Sequence, residues 1–154
     1  MRRRQFLVAS GALLGAVPLA APAQKFQPVQ DIRPLLEKLT GGAPLEKGGI
    51  EVELPSIAEN GNSVPLRIRV PSPMSAADHV TAISIFAERN PRPAVATFHM
   101  GPQSGRAEVL TRVRLAGTQK VTVVASLSGN RFRMVQTDVL VTSAACLDEA
   151  LAET

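Results

Sequence analysis

The sequence has no tryptophan, no tyrosine and a single cysteine among its 154 residues. One cysteine cannot close a disulfide within its own chain, so a disulfide-stapled small domain is excluded. Five phenylalanines are the whole aromatic complement, too few for the stacking platforms on which single-strand nucleic-acid binders lay successive bases. Acidic residues are missing altogether before Asp31. Much of the formal charge of +4 therefore comes from Arg2, Arg3 and Arg4, and without them 14 basic residues face 13 acidic ones. A nearly neutral body lacks the electrostatic footprint of a nucleic-acid binder. What the chain does have is apolar material, 45% hydrophobic against 19% charged, which is the composition of a sequence that folds around a core.

Residues 1–23 read as an export signal. A basic start (Arg2, Arg3, Arg4) precedes an apolar stretch from Phe6 to Ala20, and Ala21-Pro22-Ala23 is the small-x-small pattern cut by signal peptidases. The apolar stretch is about fifteen residues, short of the roughly 20 that span a bilayer, and Gly11, Gly15 and Pro18 interrupt it, so no membrane anchor is expected. Arg3-Arg4-Gln5-Phe6-Leu7 follows the twin-arginine pattern, with Arg2 where Ser or Thr is usual. The alternative is a general secretory signal with consecutive arginines. Either route delivers the chain to an oxidising compartment, most simply a bacterial periplasm.

Within residues 24–142, Ile32, Leu35, Leu36 and Leu39 have helical spacing, with Asp31 as a cap, Pro34 in the first turn and Gly41-Gly42 as the stop. From Gly48 the apolar period becomes two. Alternation around Ile50–Leu54 and Val64–Val70 predicts two paired strands joined through an Asn60-Gly61-Asn62 turn. Further strands are expected at Val80–Glu88, Ala94–His99, Ala107–Leu115, Lys120–Leu127 and Arg131–Val141. About seven short strands with Pro- and Gly-marked turns specify an all-β, immunoglobulin-like antiparallel sandwich carrying one short helix.

Enzyme signatures are missing: there is no phosphate-binding glycine loop, no H-E-x-x-H and no G-x-S-x-G. His79 and His99 are the only histidines and read as surface or strand-end residues. A blue-copper site needs two His, a Cys and usually a Met in close array, yet no His follows Cys146 and the last Met is Met134, so no metal or other cofactor is expected. Met74 and Met100 read as gap fillers. Arg67, Arg69, Arg112 and Arg114 read as solvated strand faces, the functional alternative being a cationic rim for oxyanions.

Cys146 stands apart. It follows the last strand, after Ser143, Ala144 and Ala145, at a place where chain ends seldom join the core. A buried, inert thiol is the ordinary fate of a free Cys. An accessible one on a terminal arm, residues 143–154, has a nucleophilic thiolate that can bond to sulfur species, and no second Cys to resolve the adduct.

Longer segments now carry a resemblance: Glu59-Asn60-Gly61-Asn62-Ser63-Val64-Pro65, Val70-Pro71-Ser72-Pro73-Met74, Ile85-Phe86-Ala87-Glu88-Arg89-Asn90-Pro91, Ala96-Thr97-Phe98 and Arg112-Val113-Arg114-Leu115-Ala116. Together with the export signal and the short helix, they make the chain resemble the SoxY family, the sulfur carriers of the periplasmic thiosulfate-oxidising Sox system. The resemblance implies a non-catalytic carrier that pairs with a SoxZ-type subunit. It implies covalent cargo on Cys146, served transiently by Sox enzymes that load thiosulfate, hydrolyse sulfate away and oxidise the remainder.

The arm itself departs from the usual Gly-Gly-Cys-Gly-Gly ending. It reads Ala144-Ala145-Cys146-Leu147-Asp148-Glu149 and looks like a SoxY-related subgroup with an Ala-Ala-Cys-Ile-Glu type of motif. Such a segment favours helix more than glycine does, and Ser143 is placed to cap it. Two functions from different classes stand at this point: a covalent sulfur-compound carrier, and a periplasmic binding or assembly module whose cysteine is structural.

Overall fold

The computed structural model describes residues 27–145; the export signal and Cys146–Thr154 lie outside them. One helix, α1 (Arg33–Thr40), precedes nine strands: β1 (Leu45–Lys47), β2 (Glu51–Glu53), β3 (Ile57–Ala58), β4 (Val64–Val70), β5 (Val80–Ala87), β6 (Ala94–His99), β7 (Ala107–Val113), β8 (Gln119–Leu127) and β9 (Arg131–Val141). A larger sheet runs β1-β9-β8-β5-β6, with β3 also on β9, and a smaller one runs β2-β4-β7. The sandwich expected from the alternation is the observed architecture.

The seven long-range strands form where the alternation places them. In β4 every second residue from Val64 to Val70 is buried and the rest are exposed, which is what a strand with one face on a core requires. Its antiparallel neighbours are β2, with Glu51 opposite Arg69, and β7, with Val64 opposite Val113. β5 and β8 look different, buried at nearly every position. The reason is that both of their faces are covered. Ile83, Ile85, Val121 and Val123 point into the space between the sheets, whereas Phe86 and Val124 point outward beneath α1, against Ile32, Leu35, Leu36 and Leu39. Continuous apolar strands are the signature of a sheet buried on both sides.

Two local expectations are refined. Asp31 is not the helix cap residue, which is Ile32. Asp31, one residue before it, accepts from Arg33 two positions on, the N–H at 3.0 Å and the guanidinium at 2.7 Å. Two short strands, β1 and β3, pair with β9 in parallel, one at each end of that long strand. Neither is long enough for a period to show in the sequence.

Candidate functional site

The last described residues are stitched to the rest of the molecule by backbone. The Leu140 N–H donates to the Ser56 carbonyl at 2.9 Å, and the Thr142 N–H to the Ala58 carbonyl at 3.1 Å. Beyond Thr142 the chain leaves the larger sheet and meets Gly61 and Leu115. Gly61 donates to the Ser143 carbonyl at 2.7 Å and accepts from the Leu115 N–H at 2.8 Å, while the Leu115 carbonyl accepts from the Ala145 N–H at 3.0 Å. Gly61, Leu115 and Ala145 are all buried. The chain is thus held in place up to the residue immediately before Cys146.

Gly61 is required there for closeness and not for an unusual backbone angle, since the positive-φ residues are others. A Cβ on it would collide with the Leu115 carbonyl oxygen, stand 2.8 Å from the Ala145 nitrogen and touch Val141. This corrects the reading of Asn60-Gly61-Asn62 as a hairpin turn chosen for positive φ. Asn60 still folds the turn locally, its side-chain oxygen accepting the Asn62 N–H at 2.9 Å. Ser143 does not cap a helix through the Ala145 N–H, because that N–H is committed to Leu115.

A buried polar network sets the Leu115 carbonyl in position. Asn90, 6% exposed, donates through Nδ2 to the Arg114 carbonyl at 2.8 Å. Its Oδ1 accepts from the Ala116 N–H at 3.0 Å and from Gln119 Nε2 at 3.1 Å. Gln119 in turn accepts the Arg89 N–H at 2.8 Å, and the Asn90 carbonyl accepts from Gln30 at 2.8 Å. Asparagine suits this place because it has both a donor pair and an acceptor on one short planar group. One side chain therefore grips the residues on both sides of Leu115. Thr118 completes the surround, accepting the Val141 N–H at 2.9 Å.

The arginines divide into two sets. Arg67 and Arg69 are ion-paired across the smaller sheet, Arg67 with Glu108 at 2.6 Å and Glu53 at 3.4 Å, Arg69 with Glu51 at 3.5 Å. Arg112 is held by the Ser63 hydroxyl at 2.6 Å, and Arg114, exposed, immediately precedes Leu115. His79 bonds the Ser75 carbonyl at 3.0 Å at the start of β5, and His99 is exposed at the end of β6. Met74 is buried, and its sulfur accepts the Val80 N–H at 3.5 Å. Among the described residues no group of three His, Cys, Asp or Glu could hold a metal ion, and no helix is long and apolar enough to cross a membrane.

The family model described as sulfur oxidation protein SoxY matches residues 36–146. The chain belongs to the SoxY family. The solved structure of the sulfur carrier protein SoxY from Chlorobium limicola f thiosulfatophilum is similar at 32% identity and a TM-score of 0.60, over 71% of this chain and 94% of that one. A superoxide reductase (neelaredoxin) from Ignicoccus hospitalis matches at 15% identity and a TM-score of 0.55, over 61% of this chain and 80% of that one. That likeness shows the sandwich fold alone. No curated protein matches in the sequence comparison.

Within this SoxY chain the segments that carried the resemblance come together in space. Gly61 from the first and Leu115 from the fifth bond Ser143 and Ala145, and Asn90 from the third grips the residues on either side of Leu115. Sequence reasoning singled out the cysteine and missed its foundation. Gly61 read as a turn and Asn90 as a strand boundary, because a close backbone approach and a long-range amide network leave no local pattern. Arg3, Arg4, Phe6, Leu7, Cys146, Leu147 and Asp148 lie outside the described residues.

Proposed function

We propose that this chain is a periplasmic carrier that holds a thiosulfate-derived sulfur compound covalently on Cys146, works with a SoxZ-type subunit and presents the cargo to Sox enzymes without a catalytic centre of its own. Membership of the SoxY family and the similarity to a sulfur carrier support this reading. The observation that carries it is the fixed root. Ala145 is 8% exposed and bonded to Leu115, and adjacent Cα atoms are about 3.8 Å apart, so cargo on Cys146 starts from a defined point on the surface of the sandwich. A thiolate suits such cargo because it bonds reversibly to sulfur. Joining thiosulfate to it through a new sulfur–sulfur bond removes two electrons, and a chain with one cysteine has no internal disulfide to accept them. Loading therefore belongs to a separate enzyme that passes those electrons to its own acceptor.

Burial that reaches Ala145 also favours a second reading, in which Cys146 is packed away and the chain is a binding or assembly module. Intact-mass measurement of protein isolated from its own periplasm separates the two. A sulfur or sulfonate increment that disappears in Cys146→Ser supports the carrier. An unmodified thiol that reacts slowly with alkylating agents, even beside the partner subunit, sinks it and favours the module.

A further inference from the structure

The outer face of the smaller sheet carries the ion pairs of Arg67 and Arg69, and an apolar strip at Leu110 and Pro65 interrupts that charge. Leu110 is 72% exposed, more than Val29, Ile57 or Leu140. It stands opposite Arg67, and the neighbouring pair on that face is Pro65 with Arg112. Together with Leu54 these residues line an open groove of about 780 Å³. Arg112 and Arg114 flank the end of the groove nearest Ala145, and among the described residues neither forms an ion pair.

The residues that follow Ala145 are complementary to this face. The chain passes from β9 to the Leu115 carbonyl, beyond the end of β7, so that Ala145, the last described residue, stands beside the smaller sheet. Arg112 and Leu110 lie about 10 and 17 Å back along the strand from Leu115, at about 3.3 Å per residue. Residues 147–151 can span about 7–20 Å from Ala145 when extended. Leu147 and Leu151 are four apart, a spacing that puts both on one face in a helix and in a strand alike. Asp148 and Glu149 between them carry the charge that Arg112 and Arg114 lack. Exposed ion pairs contribute little, so burial of the two leucines supplies most of the attraction and the charges set the orientation.

We propose that the segment Leu147–Leu151 docks in this groove, with its leucines against Leu110, Pro65 and Leu54 and its carboxylates beside Arg112 and Arg114. The docking stands on the groove and the sequence alone. Its consequence rests on the carrier reading: the docked segment holds Cys146 against the sandwich between encounters, and an enzyme that takes the cysteine must first displace it.

The absence of Trp and Tyr provides a direct test, because the indole of a full-length Leu151→Trp chain is its sole emitter of that kind. Its emission is expected to lie blue of indole in water and to move red in Leu110→Glu and in Arg112→Glu/Arg114→Glu. It should return when the latter pair is combined with Asp148→Lys/Glu149→Lys. The unfolding midpoint should fall only slightly, by what the docked contact contributes, since Leu110, Arg112 and Arg114 are exposed on the sandwich itself. Without the indole, alkylation of Cys146 by N-ethylmaleimide should become several-fold faster in Leu110→Glu. Emission and alkylation that both ignore Leu110→Glu overturn the proposal. So does a blue shift that grows with protein concentration, which assigns the groove to a second copy. Red shifts as expected in a protein that never acquires a mass increment leave the docking standing and remove the carrier.

Discussion

Gly61 and Ala145 stand so close that a single carbon added to the first would lie 2.8 Å from the nitrogen of the second. The glycine stands just before β4 of the smaller sheet and the alanine at the end of the described path out of the larger one, 84 positions apart in sequence. Their approach closes one end of the sandwich and fixes where the arm begins.

Gly61→Ala is accordingly expected to destabilise the fold by about 1–3 kcal/mol, the range for a forced overpacking that neighbours cannot relieve. The two nearest atoms in the way are backbone, the Leu115 carbonyl oxygen and the Ala145 nitrogen, so relief must come from movement of Leu115 or of the segment leading to Ala145. Amide hydrogen exchange at Ala145 should accelerate more than at Val123 in the buried centre of β8. Equal acceleration at both would show global loosening and no specific link to the arm.

Asn90→Ala should cost about 1–3 kcal/mol, because it leaves the partly buried Arg114 carbonyl and Ala116 N–H without their partner. Asn90→Asp keeps the acceptor and turns the donor into a charge that faces the Arg114 carbonyl. Burial and that carbonyl raise the folded-state pKa of the new carboxyl above its unfolded value. The deficit is then greatest at neutral pH and shrinks as pH falls toward 4 and the carboxyl regains a proton to donate. Urea unfolding of variant and parent at matched pH values measures it; a deficit that is independent of pH would contradict the assigned bond.

Asp31 gives a pH dependence of the opposite sign. Its hydrogen bonds from the Arg33 guanidinium and N–H hold its carboxyl down to about 2, against an ordinary 3.8. A depressed folded-state pKa stabilises above the ordinary value and is lost as pH falls through the lower one. The melting-temperature difference between the parent and Asp31→Asn should therefore be small but constant from pH 7 to 5, and fade between about pH 4 and 2.

The arm is bulkier and more helix-prone than a glycine arm. Replacing Ala144, Ala145, Leu147 and Asp148 with glycine should raise the rate at which Sox enzymes shaped for a glycine arm load Cys146. Mass-resolved loading assays read this directly, and no increase would show that arm width is not limiting.

Local chemistry made much of this legible in advance. Alternation in Val64–Val70 and the helical spacing of Ile32, Leu35, Leu36 and Leu39 each report which side of an element faces a core, because one period belongs to strands and the other to helices. They therefore specified the strands, the helix and the sandwich class, and the isolated Cys146 marked itself by being alone. The sequence could not say that β5 and β8 are covered on both faces, that β1 and β3 run parallel to β9, or that Gly61 and Leu115, the latter braced by Asn90, bond Ser143 and Ala145. Those are contacts between residues remote along the chain, made through backbone atoms every residue shares, and only the closing of the two sheets onto each other brought them together.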